Sequence, residues 1–237
     1  MCDSCGCGDT KIVPVELHER ILAGNDRQAQ HNRRHFEEDG VLAVNLMGSP
    51  GSGKTALLEA TARAMGGALR IGAVNGDLAT DNDAERLRAA GIPSVGITTG
   101  QACHLDAEMV HEALHHPPWK AIDLLFIENV GNLVCPAIYD LGQRANVVAL
   151  SVTEGVDKPL KYPIMFRKAD LVIVTKIDLL PFLDDVSLAA IGESLARVMP
   201  SPNMIAVSAR TGSGIDEWMG WLRARRVSSD RTPALTE

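Results

Sequence analysis

The sequence predicts an α/β fold, a mostly parallel sheet of about seven strands with helices on both faces. Short, continuous β-branched runs mark strands buried on both sides, as in a helix-covered parallel sheet. These runs alternate with stretches of helical spacing, the pattern of wound βα units. Apolar residues make up 46% of the 237-residue chain, enough for one full core.

In chain order, residues 1–15 are poor in core formers and rich in Cys and Gly, and read as a mobile tail. Residues 16–39 are polar with spaced apolar positions (Leu17, Ile21, Leu22, Ala29, Phe36), which suits one or two surface helices interrupted near Gly24-Asn25. Residues 40–226 form the main domain. Its strands are expected at Val41–Met47, Leu69–Val74, Ser94–Thr98, Ile122–Ile127, Val147–Val152, Leu171–Thr175 and Met204–Val207. Helical spacing is found over Thr55–Met65, Asp83–Ala90, Leu105–His115, Val186–Val198 and Ile215–Arg226, and residues 227–237 are expected to fray.

Charge and hydropathy narrow the function classes. With 23 basic and 30 acidic residues the net charge is −7, which argues against nucleic acid or an anionic membrane as the main partner. No apolar run reaches the roughly 18 residues of a membrane span, and the first residues lack the basic and apolar regions of a signal peptide. A soluble cytoplasmic protein is expected.

Gly48-Ser49-Pro50-Gly51-Ser52-Gly53-Lys54-Thr55 matches G-x-x-x-x-G-K-[ST]. It lies between an expected strand and an expected helix, the context this phosphate loop requires. Glycines let backbone N–H groups turn toward phosphates, and the helix N-terminus adds a favourable dipole. Lys54 is expected to reach the β- and γ-phosphates and Thr55 to bind Mg²⁺, which specifies the fold as a P-loop NTPase. Base choice is read from Thr175-Lys176-Ile177-Asp178. A carboxylate there can accept both N1–H and N2–H₂ of guanine, a donor pair adenine lacks, while the Lys176 stem covers the ring. This resembles the N-K-x-D motif of GTPases with Thr175 replacing Asn, which is expected to weaken a contact that ties the loop. Ser208-Ala209-Arg210 resembles their S-A-K element, so GTP is expected over ATP.

Glu128-Asn129-Val130-Gly131 resembles the GTPase D/E-x-x-G element, an acid near Mg²⁺ followed by a glycine that senses the γ-phosphate. Asp77 is a second acid at the carboxyl edge of the sheet, where ligands of such folds collect. Asp81 and Asp83 follow it, and Thr80 and Asp81 are also fit to cap the next helix.

Five cysteines, an odd number, suggest metal binding or thiol reactivity rather than a disulfide framework. Cys2, Cys5 and Cys7 crowd the tail, with His18, the N-terminal amine or a backbone nitrogen as the open choice of fourth donor. A planar set of three sulfurs and one nitrogen suits Ni(II) better than tetrahedral zinc. The competing reading is a redox-active or incidental cluster. Cys103, His104 and Cys135 form a second group that can meet at the carboxyl edge of the sheet, with Cys135 just beyond the γ-phosphate sensor. Single Cys and His residues are commonly core fillers; placement of Cys135 on a switch would couple metal affinity to nucleotide state.

The C-x-x-C-G-C tail, the phosphate loop, Cys103-His104, the segment from Glu128 to Pro136 and Thr175-Lys176-x-Asp178 together resemble the HypB family of hydrogenase nickel-incorporation GTPases. That family is part of the dimerising P-loop GTPase class that includes the urease nickel GTPase. The resemblance spans residues 1–226 and implies slow GTP hydrolysis and Ni(II) delivery during [NiFe]-hydrogenase maturation. It implies a tight nickel site in the tail and a weaker nickel or zinc site (Ni²⁺ or Zn²⁺) at positions 103, 104 and 135 of a dimer interface promoted by GTP and metal. It further implies Lys158 reaching nucleotide across the dimer, a HypA-type nickel chaperone as partner and the hydrogenase large-subunit precursor as client.

Rival readings are a urease nickel GTPase and a carrier that binds GTP without hydrolysing it. His111-Glu112-Ala113-Leu114-His115 matches the zinc-protease signature H-E-x-x-H. It runs straight into Pro117-Pro118 with no downstream ligand, and reads instead as a solvated helix face rich in His.

Overall fold

Strand and helix alternate along the chain from Leu42, after one long N-terminal helix. The structure, a computed structural model, describes residues 15–100, 102–115, 117–118 and 121–229. Of the expected tail, residues 1–14, with Cys2, Cys5 and Cys7, lie outside the described residues, and Val15 opens α1. The elements are α1 (Val15–Glu38), β1 (Leu42–Gly48), α2 (Lys54–Met65), β2 (Ile71–Asp77), α3 (Asn82–Ala89), β3 (Ser94–Thr98), α4 (Ala107–His115) and β4 (Leu124–Glu128). They continue with β5 (Ala145–Ser151), α5 (Lys158–Lys161), α6 (Pro163–Lys168), β6 (Leu171–Thr175), α7 (Leu188–Ala196), β7 (Met204–Ala206) and α8 (Ile215–Ser229).

The sheet order is β3-β2-β4-β1-β5-β6-β7. All six pairings are parallel, so the expected mostly parallel sheet is wholly parallel among the described strands. Alternate residues of β1 serve opposite faces. Leu42, Val44 and Leu46 pack with Leu57 and Leu58 of α2 and Trp218 of α8, while Ala43 packs with Phe36 of α1 and Val110 of α4. A third apolar group joins Met47 and Val148 to Phe166 of α6 and Ile191 of α7. Trp218 is fully buried, and its indole N–H donates to Thr61 Oγ1 at 2.9 Å.

Helix α1 runs unbroken through Gly24, against expectation. A glycine inside a helix costs about 1 kcal/mol, and tertiary bonds oppose that cost. Asn25 Nδ2 donates to the Asp140 carbonyl at 2.8 Å and Asn25 Oδ1 accepts from Ala107 N at 2.9 Å. Buried Asn32 donates to the Ala107 and Leu141 carbonyls, and Arg33 grips Asp140 with two bonds. Helix α8 continues to Ser229, past Val227 where fraying was expected, and residues 230–237 lie outside the described residues. Helices α5 and α6 were not expected; Pro159 and Pro163 sit in their first turns, where proline's missing N–H has no partner to lose. Strands β2 and β4 lie later than expected, so Asp77 and Glu128 are their last residues.

Asp123, just before β4, ties this strand to Arg70 and to Arg226 of α8. The Arg70 side-chain and backbone hydrogen bonds hold its carboxyl down at about 2. A depressed carboxyl stabilises the fold above its unfolded value, near 4, and the benefit disappears as pH falls toward 2. The expected contribution is roughly 1 kcal/mol after solvent screening. Asp123→Asn should flatten this acid limb in urea titrations between pH 4.5 and 2; an unchanged limb would place the acid sensitivity elsewhere.

Candidate nucleotide and metal site

The phosphate loop leaves the carboxyl end of the central strand β1 and enters α2. This strand lies between β4 and β5, where the chain switches direction across the sheet and leaves a crevice. Lys54 is nearly buried and donates to the Gly48 and Ser49 carbonyls at 3.5 and 3.3 Å. Burial lowers its pKa, opposed chiefly by the charge of Glu128. A cavity of about 390 Å³ opens on the loop, lined by Lys54, Thr55, Asp77, Asp83, Glu128 and Gly131 among others. The structure thus brings all four proposed catalytic residues to one cavity.

Glu128 is 2% exposed and accepts from Thr55 Oγ1 at 2.8 Å through Oε1. Its Oε2 has no hydrogen-bond partner, and burial pushes the carboxyl up to about 7. A buried carboxylate oxygen left open beside a threonine hydroxyl fits a hard cation such as Mg²⁺. Asp77 Oδ1 accepts from Ala79 N and Thr80 N at 2.9 and 3.0 Å, and the Ala79 bond leads in lowering its pKa. Asp81 pairs with Arg88 and makes no side-chain cap, whereas Asp83 pairs with Arg86 at 3.1 Å.

A second hollow, about 280 Å³, is lined by Gly53, Lys176, Asp178, Ala209 and neighbours. Ser208 Oγ donates to Asp178 Oδ1 at 2.7 Å, and exposed Arg210 lies 3.8 Å from Oδ2. Thr175 corrects an expectation: its hydroxyl donates to the Ser52 carbonyl at 2.6 Å, so the loop-tying contact is made without asparagine. Lys176, in the left-handed region at φ 59°, donates from Nζ to the Gly51 carbonyl at 2.6 Å. Lys158, the first residue of α5, lies 3.6 Å from Glu154, and Glu154 accepts from Ser49 Oγ.

The switch segment touches both the loop and the cysteines. A Cβ on Gly131 would come within 2.9 Å of Pro50 N, so only glycine allows this approach to the phosphate loop. Asn132 forms an isolated antiparallel bridge with Gly48, and its Nδ2 donates to the Cys103 carbonyl at 3.2 Å. Buried Asn129 accepts from Leu105 N at 3.1 Å and donates to Asn45 Oδ1 at 3.1 Å. These two amides fasten residues 103–105 to the switch.

Cys103, His104 and Cys135 do converge, with all ligand atoms within 4.8 Å of one another. The sulfurs are 3.0 Å apart, and His104 Nδ1 is 3.9 Å from Cys103 Sγ. His104 stacks on Tyr139, ring centres 3.9 Å apart, and burial lowers its pKa, favouring the neutral ligating form. The hydrogen bond with Cys103, then burial, holds the Cys135 thiol above its ordinary range. Two soft sulfurs and an imidazole suit a borderline metal such as nickel or zinc.

Sequence reasoning missed Asn129, Asn132, Glu154 and Tyr139 as parts of this site. Only Glu154 carried a local signal, the capping box it forms with Ser151. Among the described residues no helix is long and apolar enough to cross a membrane.

The family described as CobW/HypB/UreG, nucleotide-binding domain, matches residues 42–205. The hydrogenase maturation factor HypB of Azotobacter vinelandii is 49% identical over 221 residues, covering 93% of this chain and 72% of that one. The hydrogenase/urease maturation factor HypB of Helicobacter pylori is 38% identical over 216 residues, 90% of this chain and 88% of that one. A crystal structure of HypB from Helicobacter pylori in complex with nickel superposes with a TM-score of 0.82 at 35% identity, covering 90% of this chain and 100% of that one.

Proposed function

We propose that this chain, which belongs to the CobW/HypB/UreG nucleotide-binding family and within it to the HypB hydrogenase maturation factors, is a GTP-hydrolysing nickel metallochaperone whose metal affinity follows its nucleotide state. The observation that carries the coupling is Asn132, which pairs by its backbone with Gly48 of the phosphate loop and by its side chain with Cys103. One short segment, Glu128–Cys135, therefore touches the nucleotide cavity at one end and supplies a metal ligand at the other.

The reaction is GTP plus water to GDP plus phosphate. The loop from Gly48 to Gly53 cradles the phosphates, and Lys54 balances charge that builds on the transferred group. Thr55 and Glu128, with Asp77 beside them, would hold Mg²⁺, which supplies charge neutralisation at the phosphate oxygens. Asp178 accepts from guanine once Arg210 swings aside, Lys176 covers the ring, and Ser208 and Ala209 shape the pocket. Hydrolysis frees Gly131 from the γ-phosphate, Cys135 shifts, and nickel leaves Cys103, His104 and Cys135. Zn²⁺ competes for the same ligands.

Cys2, Cys5 and Cys7 hold a tighter nickel ion by the family resemblance. On the same ground the working unit is a GTP-promoted cytoplasmic homodimer, in which Lys158 exchanges Glu154 for the partner's nucleotide. Nickel then passes among a HypA-type chaperone, this protein and the hydrogenase large-subunit precursor. The name of the Helicobacter pylori relative supports a second client, urease.

Cys135→Ala tests the coupling. Nickel titrations with GDP and with a non-hydrolysable GTP analogue should differ for the parent protein and coincide for the variant, with nucleotide affinity changed less than about twofold. A nucleotide effect that survives in the variant would overturn this reading.

A further inference from the structure

The histidine face of α4 meets a second histidine face. His31 and His35, one turn apart on α1, lie against His111 and His115, one turn apart on α4. The His31 and His111 ring centres are 5.0 Å apart, and His35 and His111 are 6.3 Å apart. Asn32, between the α1 histidines, bonds to the Ala107 carbonyl of α4 and fixes this juxtaposition. The four imidazoles line one end of a cavity of about 520 Å³ beside the amino ends of β1 and β4. The cysteine cluster lies near the other end of the same helix, since α4 begins three residues after His104.

From this geometry we propose a third nickel site, made only of imidazoles, between α1 and α4. The Nε2 atoms of His31 and His35 are 3.1 Å apart and those of His111 and His115 are 2.9 Å apart. Metal–imidazole bonds of about 2.0–2.1 Å put two nitrogens about 2.9 Å apart at a right angle and about 3.3 Å apart at the tetrahedral angle. The 2.9 Å pair meets the right-angle value and the 3.1 Å pair lies midway between the two, so planar or octahedral Ni(II) fits these pairs at least as well as tetrahedral zinc. A shared proton explains either pair alone but leaves the facing of the two pairs unexplained. As they stand, no three of these imidazoles bring their nitrogens within 4.8 Å of one another, so a metal would need exposed His35 and His115 to turn inward; the Arg70 guanidinium in the same cavity is held by Asp123. The site uses no residue of the nucleotide cavity and stands independently of the coupling proposed above.

The test is equilibrium dialysis of inorganic nickel against the full chain and the double variant His35→Gln/His115→Gln. Both residues are exposed, so the fold is spared. The variant should bind one nickel fewer per chain, with that class weakened at least roughly 100-fold. Thiolate-to-nickel absorption and GTP turnover should stay unchanged, because the cysteines and the nucleotide cavity are intact. Equal nickel numbers in both proteins, or a lost ion that takes thiolate absorption with it, would overturn the site. Loss of a zinc ion with no loss of nickel in parallel dialysis would overturn the assignment to nickel.

Discussion

Lys54→Ala is expected to lower GTP turnover by about 10²–10³-fold, the usual cost of removing one preorganised group that stabilises transition-state charge. The nucleotide-free variant should melt no lower than the parent protein. Lys54 is 8% exposed and burial disfavours its charge, so alanine removes a desolvated cation along with the catalytic group. Glu128, whose carboxyl already lies near 7, takes up a proton when its counter-charge is gone. Steady-state phosphate release with Mg²⁺ and a nucleotide-free melt decide the matter together. Turnover within tenfold of the parent would remove Lys54 from the chemistry. A loss matched by a fall in melting temperature would make its role structural.

The largest expected effect on stability is at Trp218. Trp218→Ala should cost about 3–5 kcal/mol, the range for emptying a large buried aromatic site. The indole lies between Phe126 of β4 and Trp221 of α8, ring centres 6.3 and 5.4 Å away. Thr61, which loses the indole N–H, keeps its own bond to the Leu57 carbonyl at 2.7 Å, so no orphaned polar group adds to the cost. Trp218→Phe should recover a large part of the loss. Urea unfolding gives both values, and a cost below about 1 kcal/mol for alanine would mean that α8 unfolds separately from the sheet.

What was readable in advance was local. The eight residues Gly48–Thr55 carry their own strand–loop–helix context, and the buried strands announce themselves by unbroken apolar runs. The convergence of Cys103, His104 and Cys135 was also legible, because all three follow the carboxyl ends of strands. What was hidden depends on neighbours distant in the chain. Asn129 and Asn132 stood inside a quoted motif, yet their contacts with Leu105 and Cys103 exist only once β3 and β4 share a sheet edge. Gly24 looked like a helix break because the Asn25, Asn32 and Arg33 contacts that override it reach residues beyond Ala107. Thr175 looked like a weakened asparagine, whereas its short hydroxyl reaches the Ser52 carbonyl directly. The H-E-x-x-H segment reads in sequence as a solvated helix face rich in His, and the α1 histidines it faces have no sequence signal linking the two.

The strand order governs how the molecule is born. β1 does not pair with β2, the next strand in sequence; its partners are β4, beginning at Leu124, and β5, beginning at Ala145. During synthesis the apolar segment Leu42–Gly48 therefore waits unpaired until the chain beyond Glu128 has emerged, and keeps one edge open until the chain beyond Ser151 has followed. Closing such long loops before any contact rewards them makes folding slow and leaves a sticky strand on view to chaperones. The phosphate loop hangs from that strand, so competence to bind nucleotide arrives late in the ribosomal life of the chain, after its first five strands exist.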